Sequence, residues 1–119
     1  HMSKSITLEN YANKVIDVAS ENLGSEIILV DTSLNSLFAD YSIVITGQTD
    51  RHLENLAQKI MRALRKDGYR IHHKEGTGKN GWILLDFFGM SVHLFLESAR
   101  TNYDLESLWD SGKEILRLQ

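Results

Sequence analysis

Residues 75–109 read EGTGKNGWILLDFFGMSVHLFLESARTNYDLESLW and hold both tryptophans, three of the four phenylalanines and the most continuous apolar run of a 119-residue chain. Within them, residues 82–87 and 90–96 are rich in β-formers and flank a Gly-containing break, so they read as two strands of a hairpin. A two-residue loop at Phe88-Gly89, or a four-residue loop spanning 87–90, sets Asp86 against Ser91, Leu84 against His93 and Trp82 against Phe95. A three-residue loop would move the register by one and scramble the faces. With the first register, alternation gives one wholly apolar face: Ile83, Leu85, Phe87, Met90, Val92 and Leu94. The opposite face mixes Trp82, Leu84 and Phe95 with one acid, Asp86, one hydroxyl, Ser91, and one imidazole, His93. The first face is a core face, and the second suits a surface that is covered only part of the time.

Working outward, residues 7–22 carry Leu8, Tyr11, Ala12, Val15, Val18 and Ala19 at helical spacing, with Thr7 as a cap and Gly24 beyond the end. Residues 26–31 (E-I-I-L-V-D) and 39–46 (A-D-Y-S-I-V-I-T) read as strands, with a turn at 32–35. Thr49 or Asp50 caps a second helix whose buried stripe is Leu53, Leu56, Ala57, Ile60 and Leu64; Gly68 ends it. Residues 69–75 read as a further strand, and 76–81 (G-T-G-K-N-G) as a mobile loop beside the hairpin. After the hairpin, Asn102 or Asp104 can cap a short helix carrying Tyr103, Leu105, Leu108 and Trp109. Residues 110–119 extend that helix or fray. The pattern predicts a single α/β (α+β) domain: a mixed sheet of about five strands, helices mainly on one face, the other face free to bind.

Four stretches, in order, carry a resemblance. They are A-D-Y-S-I-V-I-T-G-Q-T-D-R-H at 39–52, E-G at 75–76, W-I-L-L-D with V-H-L-F at 82–95, and R-x-x-Y-D-L-E-x-L-W at 100–109. Together, over roughly residues 8–109, they are similar to the ribosomal silencing factor (RsfS, or Iojap-like) family. The resemblance implies a nucleotidyltransferase-like fold in a protein that acts by binding. Its members dock on the fourteenth protein of the large ribosomal subunit, block joining of the small subunit, and are homodimers when free. It adds Glu75 and Phe88 to Trp82, Leu84, Asp86, Ser91 and His93 as partner-binding residues, with Asp40, Tyr41, Arg51, His52 and Tyr103 as secondary candidates. One departure stands out. The family has D-x-G-D-V between the two strands; here Phe88 replaces the Gly and Gly89 the second Asp, so the tip is more apolar and less acidic.

Composition bounds the rest. The chain has net charge −3, pI about 5.9, 42% hydrophobic residues and no cysteine or proline. No disulfide framework or thiolate metal site can form, and no step can depend on a cis-proline. The acidic balance argues against a broad basic face for nucleic acid, and direct DNA binding is not expected. The cations at 62–74 read mostly as a solvated face. No run reaches the length of a membrane span, and without a signal peptide the cytoplasm is the expected compartment. His1-Met2 reads as a cloning scar and start Met ahead of one domain over 3–119. Nucleotidyl transfer, or a nucleotide-binding relic of it, is the alternative suggested by the implied fold. It needs paired carboxylates for divalent metal, whereas Asp31, Asp40 and Asp86 are scattered. The strand–Gly47–helix turn is only a weak anion-site signal. His72 and His73, adjacent on a strand, point to opposite faces and cannot both hold one metal. No cofactor is expected, and no hydrolase elbow exists.

Overall fold

The structure is a computed structural model that describes residues 8–32, 40–101 and 113–118. The elements run α1 (Leu8–Glu21), β1 (Ser25–Asp31), β2 (Tyr41–Gly47), α2 (Asp50–Lys66), β3 (His73–Thr77), β4 (Trp82–Phe87), β5 (Met90–Leu96), α3 (Glu97–Arg100) and β6 (Lys113–Leu118). Both long helices form for the reason their spacing predicts. Helix α1 buries Ala12, Val15, Ile16 and Ala19, and α2 buries Leu53, Leu56, Ala57, Ile60 and Leu64. The cap of α2 is Thr49, whose hydroxyl accepts the His52 N–H at 3.0 Å.

The strands form one six-stranded sheet in the order β3-β4-β5-β2-β1-β6. Every neighbouring pair is antiparallel except β2–β5, which is parallel. The sheet is therefore two antiparallel halves joined at one parallel seam. Ser42 and Ser91 face each other across that seam with their hydroxyls 3.2 Å apart.

The β4–β5 hairpin has the expected register, with Trp82 opposite Phe95, Leu84 opposite His93 and Asp86 opposite Ser91. The loop is Phe88-Gly89, and Gly89 takes φ 82°. Ile83, Leu85, Phe87, Met90, Val92 and Leu94 are all buried under α1 and α2. Tyr69 closes this core at the tip end, stacked between Tyr11 (centroids 4.2 Å apart) and Phe87 (5.4 Å).

Four expectations are corrected. Residues 113–118 are neither helix nor fray but an edge strand antiparallel to β1, the sixth of a sheet expected to have about five. The strand expected at 69–75 lies at His73–Thr77, since Tyr69 turns into the core instead of joining the sheet. The 76–81 segment is tied down rather than loose. Gly76 and Thr77 finish β3, and residues 78–80 make a 3₁₀ turn held by Gly78 N–H to Glu54 Oε2 at 2.7 Å and Asn80 N–H to Thr77 Oγ1 at 3.2 Å. The face away from α1 and α2 is not wholly free. Ile28, Val30, Val44 and Phe95 are buried there, with Trp82 and Ala99 packed against them. Arg100 fastens α3 over this patch through the Glu26 carbonyl (2.6 Å) and the Thr46 hydroxyl. The capped helix expected from Asn102 or Asp104, the 32–35 turn beyond Thr32, and the first residues with Thr7 lie outside the described residues.

Candidate functional site: the mixed face of the sheet

Strand pairing lays the face opposite α1 and α2 out in rows. One row runs His73, Asp86, Ser91, Ser42; the next runs Glu75, Leu84, His93, Val44; the third runs Thr77, Trp82, Phe95, Thr46. Burial grades along each row. The β3 members His73, Glu75 and Thr77 are exposed and the β4 members Trp82, Leu84 and Asp86 half-buried, while the β2 members Ser42, Val44 and Thr46 are buried. The open part of the face is therefore the β3–β4–β5 edge. A side chain here packs sideways on its row neighbours and keeps one surface available to a partner.

Glu75, Trp82, Leu84, Asp86, Ser91 and His93 all stand on this face. Gly76 explains part of its shape. It lies within β3 at φ 83°, and a Cβ there would sit 2.2 Å from the Trp82 carbonyl oxygen and 3.0 Å from the indole. Only glycine lets β3 approach β4 so closely and take that conformation, which gives the E-G pair a structural reason.

The polar residues on the face differ in how they are held. The Asp86 carboxylate makes no hydrogen bond or ion pair among the described residues. Its row neighbour His73 instead leans to Glu75, Nε2 to Oε2 at 3.5 Å. Asp86 is thus a half-buried acid that the described residues leave available to a donor. His93 lies between Leu84 and Val44 in its row and stacks beside Phe95 with centroids 6.2 Å apart. Burial pushes its pKa down to about 4, so the imidazole is neutral at physiological pH.

The hairpin tip forms a second part of the surface. Phe88 is 69% exposed, and its ring lies against that of His72 with centroids 4.4 Å apart. The Tyr69 hydroxyl donates to the Phe88 carbonyl, and Tyr41 N–H donates to the Gly89 carbonyl at 3.1 Å. Asp40 and Tyr41 therefore join Phe88 at one end of the sheet. Burial first, then Glu9, Asp31 and Asp40, raise the Tyr41 pKa.

Arg51 and His52 are not brought to this end. They start α2, beyond the other end of β2, about 20 Å away at 3.3 Å per strand residue. His52 is a clamp between elements: Nδ1 accepts the Gln48 N–H at 3.0 Å, so Nε2 carries the proton to the Asn22 carbonyl at 2.8 Å. Tyr103 lies outside the described residues. Sequence reasoning missed His73, Thr77 and Ser42, whose places depend on the β3 and β2 registers. No local pattern encodes either register. No three His, Cys, Asp or Glu side chains converge as metal ligands among the described residues.

The family described as "Ribosomal silencing factor during starvation" matches residues 5–119. A curated relative, ribosomal silencing factor RsfS of Chromobacterium violaceum, is 34% identical over 107 residues, covering 89% of this chain and 87% of that protein. The mouse protein named "Mitochondrial assembly of ribosomal large subunit protein 1" is 26% identical over 80% of this chain and 43% of its own. A crystal structure of a Chromobacterium violaceum protein superposes with a TM-score of 0.81 at 30% identity, covering 87% of each chain. With a family match over nearly its whole length and a relative above 30% identity, the chain belongs to the ribosomal silencing factor (RsfS) family.

Proposed function

We propose that the chain is a ribosomal silencing factor that works in the cytoplasm by binding rather than by catalysis. It docks on the large ribosomal subunit through the subunit's fourteenth protein and keeps the small subunit from joining. The observation that carries this reading is the graded mixed face. Trp82 and Leu84 offer apolar contact, Glu75 and Asp86 offer acids with room for a partner's cations, and Phe88 projects at the tip end, beyond Asp86. Such a surface, an aromatic and aliphatic centre with a polar rim, suits a protein partner. The family name and the mouse relative's name support a ribosomal partner. The same face serves a second copy of the chain when no ribosome is bound, since apolar surface of this kind is costly to leave wet.

The test uses the purified chain, separated subunits and the fourteenth large-subunit protein. The chain should co-sediment with large subunits, capture that protein alone, and lower the yield of joined ribosomes in proportion to the large subunits occupied. Joining that proceeds unchanged with large subunits saturated overturns the blocking role. Failure to capture the isolated protein overturns the assigned partner. Sedimentation equilibrium showing only monomer at tens of micromolar overturns the dimer.

A further inference from the structure

We infer that the helix side of the molecule, opposite the mixed face, carries a site for the phosphate backbone of RNA. Between Lys59 and Lys74 six cations stand against one acid, Asp67, in a chain whose net charge is −3. Folding gathers most of them around two adjoining concavities. One, of about 390 Å³, is lined by Gln58, Met61, Arg62, Arg65, Arg70 and Ile71. The other, of about 300 Å³, is lined by Lys14, Lys59, Arg62, Ala63 and Lys66. Arg62 belongs to both, and no acid lines either. Lys14 is neutralised by Asp67 at 2.6 Å. Lys59, Arg62, Arg65, Lys66 and Arg70 are exposed and form no ion pair among the described residues.

The helix itself does not account for this cluster. Cations in the last turn, Arg65 and Lys66, are favoured by the helix dipole. Lys59 and Arg62 lie outside that turn, and Arg70 lies beyond the helix. Lys59, Arg62 and Lys66 follow one another at three- and four-residue spacing, where like charges face each other and weaken the helix. A bound polyanion relieves that repulsion. Phosphodiester suits the site better than an acidic peptide. Three guanidinium groups around one concavity match the paired oxygens of a phosphate. The stripe from Lys59 to Lys66 spans about 10 Å at 1.5 Å per residue, enough to meet neighbouring phosphates of one strand. The choice of RNA over DNA rests on the ribosomal reading above. The acidic balance of the whole chain does not oppose it, because phosphate contact depends on local charge within a Debye length of about 10 Å.

The experiment is fluorescence anisotropy of a short labelled RNA with the full chain, across about 25 to 200 mM salt. The wild-type chain should bind with a slope of log Kd against log salt of about 2 to 4, for three to five phosphates neutralised. Arg62→Glu with Arg65→Glu should weaken binding at least tenfold at the lowest salt and reduce the slope by about 1.5. Arg62→Gln with Arg65→Gln, which leaves less repulsion and keeps helix propensity, should give the same direction with a smaller loss. Lys79→Glu, at an exposed cation off the patch, should change neither. No RNA binding at the lowest salt overturns the inference. So does equal loss in Lys79→Glu, or a polyglutamate peptide that binds as tightly as RNA. The probe contains no ribosomal protein, so the two readings fail separately. A chain that captures the fourteenth protein but not RNA overturns this inference alone; one that binds RNA but not that protein overturns only the assigned docking partner.

Discussion

Phe88→Ala separates recognition from folding more cleanly than any other change on the site. An aromatic side chain offers about 150–250 Å², and at 69% exposure roughly 140 Å² of Phe88 remains for a partner. At about 25 cal/mol per Å² full coverage contributes about 3 kcal/mol. A hairpin tip is covered incompletely, so the expected loss of affinity is about 2 kcal/mol, roughly thirtyfold. The fold loses much less. The tilted His72 contact goes, a pair worth about 1 kcal/mol or less when exposed. The backbone bonds that hold the tip, from Tyr69 and Tyr41, use carbonyls that alanine retains. The melting temperature should fall by no more than about 4 °C. Calorimetric titration against the fourteenth large-subunit protein, paired with a thermal melt, reads both quantities. A melting drop beyond about 8 °C with affinity unchanged would refute the assignment of Phe88 to the partner surface.

Three further outcomes are expected. Asp86→Asn should leave stability within about 0.5 kcal/mol, because no hydrogen bond to the carboxylate is lost, while weakening partner binding and flattening its salt dependence; a lower melting temperature with an unchanged salt slope would make Asp86 a structural acceptor instead. Gly76→Ala should destabilise by well over the roughly 1–2 kcal/mol of a left-handed residue, since its Cβ would also strike the Trp82 carbonyl; Gly68→Ala, at the same φ of 83° with nothing within 4 Å, should cost only the conformational part, and equal costs at the two sites would refute the argument. His93 has a folded-state pKa of about 4 against an ordinary 6.5, so the unfolded chain takes up the proton first as pH falls. Stability should be full above about pH 6.5 and decline towards pH 4 by on the order of 3 kcal/mol, and His93→Leu should flatten that decline in denaturant titrations.

The hairpin was legible in the sequence because two constraints coincide: two runs rich in β-formers, from Trp82 to Phe87 and from Met90 to Leu96, and a glycine at the break. Its register hung on the length of the loop, and the two-residue Phe88-Gly89 turn sets Leu84 against His93 and Asp86 against Ser91. Helix α2 was legible for a similar reason, five buried positions in step with the helical period. Strand β3 was not. His-Lys-Glu-Gly-Thr has poor strand propensity, and its pairing with β4 is imposed by the neighbour rather than by its own residues. Tyr69 and Ile71, the better strand formers, were drawn into the core instead. Strand β6 was hidden because K-E-I-L-R-L is too short to distinguish helix from strand by period, and what selects the strand is the unpaired edge of β1. Of the candidate site, the residues on β4 and β5 were legible as one face. The wide separation of Arg51 and His52 from Phe88 was not, because it depends on which end of β2 the helix leaves.

The parallel seam between β2 and β5 has a consequence for the way the chain reaches this shape. On one side lie β1, β2 and β6 with α1, and on the other α2 with β3, β4 and β5. Within the second half, β3, β4 and β5 pair with their neighbours in the chain. The seam joins strands whose facing serines are 49 residues apart, and the intervening chain must be drawn in before a single seam bond forms. Loop closure of that length is the slow kind of event in folding. The mixed face is continuous only once the seam has closed, because Ser42, Val44 and Thr46 back the rows that begin on β3. Competence to bind a partner thus depends on a long-range contact, and a molecule with the seam still open presents only a fragment of the surface.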